Sequence, residues 1–580
     1  MNRTQPPLPF QPVIKMTAGR PPVSRIILIG AALFFVAGYF LFNLFSKQIL
    51  QHQAYAEAAK AQSTSVTPTP APRGTIYASD KDGKLYSLAV SEWQYQLLIS
   101  PRQIRDKAKL LDALAAYLPK MDKAAVLAKV NNDKVFVPPV LDGVDAATAG
   151  KISAANLAGV FMIPKLIRVY PDGASIAPQL LGFVGADNHG KYGLEQYYDS
   201  TLQGQSGSQT AEQNSLGQLI DILSSNQAQA GSDLVLSLDY NLQFTVENKL
   251  KDAIAKFQAD SGSVVVMEAK TGAILAIAGQ PNYDPNVYSQ IAAGQYSLYQ
   301  EPVIADVYEP GSVFKPLSMS AALDMNLLKP TDTHTAGASV TINGHTILNA
   351  RNKDFGTETP SQIIQNSDNV QMASWVSVLL GADNLRNYFT KYGIGAKTGV
   401  DIAGEQSGTL PKLPWPDILR ANASFGQGVS TTALQLAADY GAIASGGNSL
   451  VPHVVKKIVS SEVAKTPSWP ASHPILSAQS DQQITQMLVD TVNLGEGKKA
   501  GIAGVQVAGK TGTAQVPDGH GGYSATNTVG SFAGFFPAAS PRFVMVVRLN
   551  NPKTVNFAES SAAPTFGTIA DWMANYYGLR

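Results

Sequence analysis

The chain has no cysteine among its 580 residues. That excludes disulfides, thiolate nucleophiles and thiolate-bound zinc. Histidine is scarce as well. His52, His189, His334, His345, His453, His473 and His520 are scattered, with no pair at metal-binding spacing, so no metal site and no cofactor is expected. Neither sign of charge dominates: the formal net charge is +1 and no basic block runs through the body. A nucleic-acid binder needs such a block to neutralise phosphates, so that class is excluded. Apolar residues, at 45%, are plentiful enough for two or three separate cores and too plentiful for a disordered chain.

One uncharged apolar run decides the compartment. Residues 26–45 are a 20-residue stretch without a charge, long enough to cross the ~30 Å hydrocarbon core as a helix. Arg3, Lys15, Arg20 and Arg25 precede it, and no acidic residue occurs in residues 1–46. The positive-inside rule then leaves residues 1–25 in the cytoplasm and sends the rest of the chain outward. Ala54-Tyr55-Ala56 offers a signal-peptidase-like site. However, the run exceeds the roughly 7–15 residues of a signal-peptide core and the site lies well past its end. An uncleaved, single-pass anchor in the cytoplasmic membrane is expected.

Beyond the anchor, residues 46–72 read as a juxtamembrane helix followed by a Thr/Pro-rich spacer, extended and stiff because of Pro68, Pro70 and Pro72. Residues 73–232 mix short strands with helical stretches such as 104–130. They end in a Gln/Ser/Gly-rich segment, 203–232, that reads as a connection between domains. From residue 233 the pattern becomes denser: a strand at 234–238, a helix at 241–258, and a hairpin of strands 263–268 and 273–278. Helices at 312–326 and 431–445 follow, then strands at 505–516, 529–536 and 543–549 and a helix at 566–576. Two early strands, a helical insert, three late strands and a last helix predict an α+β domain over residues 233–580. Its core would be a five-stranded antiparallel sheet flanked by helices.

Three short motifs carry chemistry. Ser312-Val313-Phe314-Lys315 is the only S-x-x-K in the chain and follows Glu309-Pro310-Gly311, a turn leading into a helix. Positions i and i+3 share a helix face, so the Lys315 amine can reach the Ser312 hydroxyl. A lysine desolvated beside a second cation can act as its base. A first-turn serine also has a backbone N–H without an intrahelical partner, available to an oxyanion. Pro316 lacks an N–H, so this helix must start irregularly. The second motif is Ser367-Asp368-Asn369; a similar Ser224-Ser225-Asn226 lies in the expected linker. The third, K-T-G, occurs three times. Lys270-Thr271-Gly272 fits a hairpin turn and Lys397-Thr398-Gly399 a loop, whereas Lys510-Thr511-Gly512-Thr513 lies inside a strand-like run. There Lys510 and Gly512 face one way, Thr511 and Thr513 the other. A lysine with two hydroxyls suits a carboxylate, and the glycine would let a substrate backbone approach the strand. Singly, Ser312 is an ordinary first-turn serine, Lys315 a solvated charge and Asn369 a helix cap. Their order within one predicted domain is what points to acyl transfer.

S-x-x-K, S-D-N and K-T-G in this order resemble the signature of the penicillin-binding proteins and class A β-lactamases. Over most of its length the chain resembles a class B penicillin-binding protein, a monofunctional peptidoglycan D,D-transpeptidase. Other similar stretches are Arg73-Gly74-Thr75-Ile76-Tyr77, Arg168-Val169-Tyr170-Pro171, Gly193-Leu194-Glu195 and Leu202-Gln203-Gly204. Thr398-Gly399-Val400-Asp401 and Ser424-Phe425-Gly426-Gln427-Gly428 also look alike. Ala78-Ser79 departs from the family, which has an Asp-Arg pair there. Glu309-Pro310 and residues 424–428 look more like the division-specific, septal branch than the elongation branch.

The resemblance implies a pedestal (dimerisation-type) domain over 73–232 and a transpeptidase domain over 233–580. It implies Ser312 as nucleophile on a D-alanyl-D-alanine stem pentapeptide, Lys315 as base and Lys510 as the cation that keeps Lys315 neutral. Ser367 would relay a proton, Asn369 hold the substrate amide, and Thr511, Gly512 and Thr513 bind the donor. The backbone N–H groups of Ser312 and Thr513 would form the oxyanion hole. β-Lactams should trap Ser312. A polytopic membrane glycosyltransferase and division-complex proteins are the implied partners. A D,D-carboxypeptidase differs only in using water as acceptor, and a slow β-lactam-binding scaffold or sensor needs no turnover. A β-lactamase would need a deacylating element of the E-x-x-L-N kind, and none is seen between Gly395 and Phe425.

Overall fold

The computed structural model describes residues 23–132, 134, 137–213, 219–460, 463–517 and 522–580. Arg3, Lys15 and Arg20 of the expected cytoplasmic tail lie outside the described residues, as do residues 214–218 of the expected linker. The chain divides into two compact units: the chain up to residue 69 together with residues 206–228, and residues 70–205 together with 229–580.

In the first unit, Val23–Phe45 is a helix with no buried residue. It is long and apolar enough to cross a membrane. A π-turn, Ser46–Leu50, and a helix, His52–Ser63, follow it. The Thr/Pro spacer and the expected linker are both more ordered than their composition suggests. Thr64–Thr69 is a strand paired antiparallel with Gly207–Gln213, which pairs in turn with Leu219–Asn226. The segment read as a connection therefore forms two strands of a three-stranded sheet.

In the second unit, the 15-residue strand Leu85–Ile99 pairs along its length with Val160–Val169. Its core is completed by helices Lys107–Tyr117 and Lys123–Val130, where one helical stretch was expected. Three of the four family-like stretches of the pedestal converge on a single carboxylate. Glu195, fully buried, receives Arg73 Nε at 2.6 Å and Arg168 Nε at 2.7 Å, with Tyr170 Oη at 3.4 Å. Two guanidiniums on one carboxylate turn a buried charge from a cost into a positioning device. Asp401, of the Thr398-Gly399-Val400-Asp401 stretch, is buried too and accepts from the backbone N–H groups of Val454 and Val455 and from Tyr198 Oη. The strand Asp233–Asp239 is not part of the sheet that follows it. It runs parallel to Ile76–Ser79 on one side and antiparallel to Val455–Val459 on the other.

The five-stranded antiparallel sheet is present. Its strands are β1 (Ser261–Glu268), β2 (Ile274–Gln280), β3 (Ala508–Pro517), β4 (Tyr523–Phe536) and β5 (Phe543–Asn550), in the spatial order β2-β1-β5-β4-β3. Both faces are covered, which explains the near-continuous apolar runs. Val264 and Val266 point into a core with helices α1 (Tyr240–Phe257) and α6 (Ala562–Tyr576). Val265 points into the opposite core, with α2 (Lys315–Asp324), α4 (Ala433–Ala444) and α5 (Ala478–Asn493). Each fully buried valine stabilises the sheet by about 1.5–3 kcal/mol. β3 is left as an edge strand beside the turn that carries Ser312.

Candidate active site

Ser312 lies in a 3₁₀ turn, Gly311–Phe314, that runs directly into α2 at Lys315. Pro316 sits in the first turn of α2, so the irregular start expected from its missing N–H is what the chain adopts. The turn is clamped from two sides. Gly311 N donates to Gly426 O at 3.0 Å, and Gly428 N donates to Glu309 Oε1 at 3.0 Å. Gly426 has φ +85°, and a Cβ there would stand 2.2 Å from Gly311 O. Residues 424–428 are thus the seat of the nucleophile turn. Gly426→Ala should push that turn aside and slow acylation by a penicillin about 10–100-fold. Labelling rate measured beside the melting temperature checks this, because unfolding alone would lower both.

Gly512 has the same kind of packing role, one that the sequence alone did not suggest. Its bare face looks at the nucleophile turn: a Cβ would meet Pro310 O at 2.8 Å and Val313 Cγ1 at 2.9 Å. The glycine lets β3 pack against the turn rather than letting a substrate backbone approach on that side.

Lys315 is fully buried and not a solvated charge. Its Nζ donates to Ser367 O at 2.5 Å and Ser367 Oγ at 3.1 Å. Ser312 Oγ makes no hydrogen bond among the described residues, so the lysine is bonded to Ser367 rather than to Ser312, as the i, i+3 spacing had suggested. Ser367 closes helix α3 (Pro360–Asn366) in the left-handed region at φ +58°, a strained conformation for a residue with a Cβ. Burial, and then the charge of Lys510, pull the Lys315 amine down to about 7; Glu496, Asp368 and Glu358 oppose the fall. Lys510 is also fully buried and is held below its ordinary value by that burial, against Glu496.

Asn369 is not the helix cap; Asp368 is, accepting from Gln371 N at 2.7 Å. Asn369 Nδ2 donates to Leu348 O at 2.9 Å, and Asn349 bridges Asp368 and the backbone N–H of Asn369. Ser312, Ser367, Asn369, Thr511 and Thr513 together line one cleft of about 880 Å³. Lys315 and Lys510 lie beneath it. All three motifs therefore meet, and the other two K-T-G copies do not. Lys270-Thr271-Gly272 is the β1–β2 turn, and Thr398 is bound to Glu405 in a loop. Sequence reasoning missed Asn349, Glu358 and Glu496. Each reaches the site through a long-range contact, and none sits in a local pattern that would have flagged it.

This arrangement offers a serine hydroxyl, an amine that gives up its proton at about pH 7, a second lysine beside it and a wall of hydroxyls. It suits acyl transfer from a substrate ending in a carboxylate. Comparison with known proteins agrees. Residues 262–571 match the penicillin-binding protein transpeptidase domain and residues 68–236 the penicillin-binding protein dimerisation domain. Stage V sporulation protein D of Bacillus subtilis is 32% identical over 536 residues, covering 90% of this chain and 81% of that protein. Peptidoglycan D,D-transpeptidase FtsI of Escherichia coli is 29% identical, with 94% of this chain and 90% of the relative covered. The crystal structure of penicillin-binding protein 3 from Mycobacterium tuberculosis, complexed with aztreonam, superposes with a TM-score of 0.68 at 28% identity. It covers 88% of this chain and 98% of that one. With two thirds or more of such relatives covered and the catalytic motifs gathered in one cleft, the chain belongs to the class B penicillin-binding proteins.

Proposed function

We propose that the chain is a serine-type peptidoglycan D,D-transpeptidase that cross-links stem peptides during septal wall synthesis. The observation that carries this reading is the buried Lys315, with its amine near 7, below a cleft that exposes Ser312. Ser312 Oγ attacks the carbonyl of the penultimate D-alanine as its proton passes to Lys315. The backbone N–H groups of Ser312 and Thr513 hold the oxyanion. Collapse breaks the amide, and the terminal D-alanine leaves with a proton relayed through Ser367. Asn369 holds the substrate amide, and Lys510, Thr511 and Thr513 hold the donor carboxylate. The amine of a neighbouring stem then takes the acyl group from Ser312.

β-Lactams copy the D-alanyl-D-alanine end. A relative has been solved complexed with aztreonam and with ampicillin, which supports Ser312 as a covalent trap here. We assign residues 1–25 to the cytoplasm, 26–45 to the membrane, 46–72 to the juxtamembrane segment, 73–232 to the pedestal and 233–580 to the extracytoplasmic transpeptidase domain. The transpeptidase reaction makes no glycan strand. A polytopic membrane glycosyltransferase and division-complex proteins are the partners this requires.

The test is turnover of a synthetic stem pentapeptide with a labelled amine acceptor by the full-length chain. D-Alanine release with the label in the product establishes transpeptidation. Release without label incorporation identifies a D,D-carboxypeptidase. Penicillin labelling with no release at all identifies a binding scaffold.

A further inference from the structure

The cleft holds one carboxylate that the reaction above does not use. Glu496 sits between two glycines in the turn after α5. Its backbone N–H donates to Gln365 O at 3.2 Å, and a Cβ on Gly495 would lie 2.5 Å from that same oxygen. The turn is therefore fixed against the end of α3, two residues before Ser367. From this seat Glu496 Oε2 accepts from Thr511 Oγ1 at 3.2 Å and from Lys510 Nζ at 3.4 Å.

The proton count matters here. A threonine hydroxyl has one proton, and that of Thr511 goes to Glu496. Lys510 has three, and three acceptors surround its Nζ: Glu496 Oε2, Thr511 O at 3.3 Å and Thr511 Oγ1 at 3.4 Å. Thr513 differs. Its Oγ1 accepts from Ala558 N at 3.0 Å, and its own proton goes to no described group. Two of the three groups assigned to the donor carboxylate thus already hold a carboxylate of the chain itself.

We propose that Glu496 is a specificity-determining residue: an internal carboxylate on the Thr511–Lys510 subsite that the donor's terminal carboxylate must displace. The inference rests on the transpeptidase reading above. Two carboxylates cannot share one hydroxyl proton, and at that range they repel. Displacement has somewhere to go. The Glu496 side chain is 32% exposed and also lines an adjoining hollow of about 270 Å³ that carries Arg351 and Lys353. Glu559 also lines that hollow and already pairs with Arg351 at 2.8 Å, so Lys353 is the cation there without an ion pair among the described residues. Binding of a donor is thereby coupled to a rotation of Glu496, and a ligand with no carboxylate gains nothing from that rotation.

The experiment measures the second-order acylation rate of the detergent-solubilised full-length chain by a penicillin and by the methyl ester of the same penicillin. Wild type is compared with Glu496→Ala and with the isosteric Glu496→Gln. Competition predicts that Glu496→Ala gains roughly tenfold with the acid, the worth of one charge-assisted hydrogen bond, and clearly less with the ester. Glu496 also opposes the depression of Lys315, so the acid limb of the rate profile should move to lower pH in both variants. Equal gains with acid and ester would overturn the proposal, because only the field at Lys315 would then have changed. Loss with both ligands, in both variants with wild-type melting temperature, would overturn it too and make Glu496 part of the binding surface. If wild type itself fails to react with the acid, the transpeptidase reading falls rather than this one.

Discussion

Replacing Ser312 with alanine is expected to abolish covalent labelling by a fluorescent penicillin and to lower D-alanine release by about 10⁴-fold or more, the usual cost of removing a nucleophile that works with its base as a unit. The variant should fold. Ser312 Oγ makes no hydrogen bond among the described residues, and the turn that holds it is fixed by the backbone of Gly311 and Gly426. A gel of the full-length protein with and without the substitution, beside its melting curve, checks both parts. A persistent band would move the nucleophile elsewhere. In wild type, a band lasting many minutes would separate this chain from a β-lactamase, which must hydrolyse its acyl-enzyme.

The acylation rate of wild type should rise with pH through about 7 and level off above it, because Lys315 takes the Ser312 proton only when it is itself unprotonated. Burial and Lys510 place its amine at about 7. Lys315→Ala should lose on the order of 10³-fold at neutral pH and lose that limb as well. Lys510→Gln removes the second cause of the depression, so its limb should move to higher pH while donor binding weakens. Stopped-flow rates between pH 5 and pH 9 read all three. A wild-type rate flat across this window would exclude Lys315 as the base. The same group carries a linkage of definite sign. Its folded value lies below its ordinary 10.5, so it opposes folding in full below pH 7. That opposition is relieved as pH climbs from 7 towards 10.5.

Local signals in the sequence account for much of the fold and for the positions of the three motifs. The run Val264-Val265-Val266-Met267 announces a strand covered on both faces, and Pro316 announces the irregular turn at Ser312. What failed was where energy comes from backbone pairing or from distant contacts. Residues 207–213, GSQTAEQ, are polar with little apolar periodicity, yet they form a strand because Thr64–Thr69 and Leu219–Asn226 offer hydrogen-bonding edges on either side. The left-handed Ser367 could not be foreseen, because its conformation is imposed by the end of α3 and by Lys315 reaching its carbonyl. The contacts of Gly512 with Pro310, Ser531 and Val313 on its bare side are likewise visible only in the packed structure. Glu496 sits in Gly495-Glu496-Gly497-Lys498-Lys499, where no local pattern marks it.

The parallel pairing of Ile76–Ser79 with Asp233–Asp239 also has a mechanical consequence. A tension applied between the chain upstream of Arg73 and a substrate held covalently at Ser312 enters the first strand at its start and leaves the second at its end. In parallel neighbours those are opposite ends, so the load acts in shear and must break their hydrogen bonds together rather than one at a time. A transpeptidase acylated by growing wall would thus pass that load through strand pairs that resist tearing.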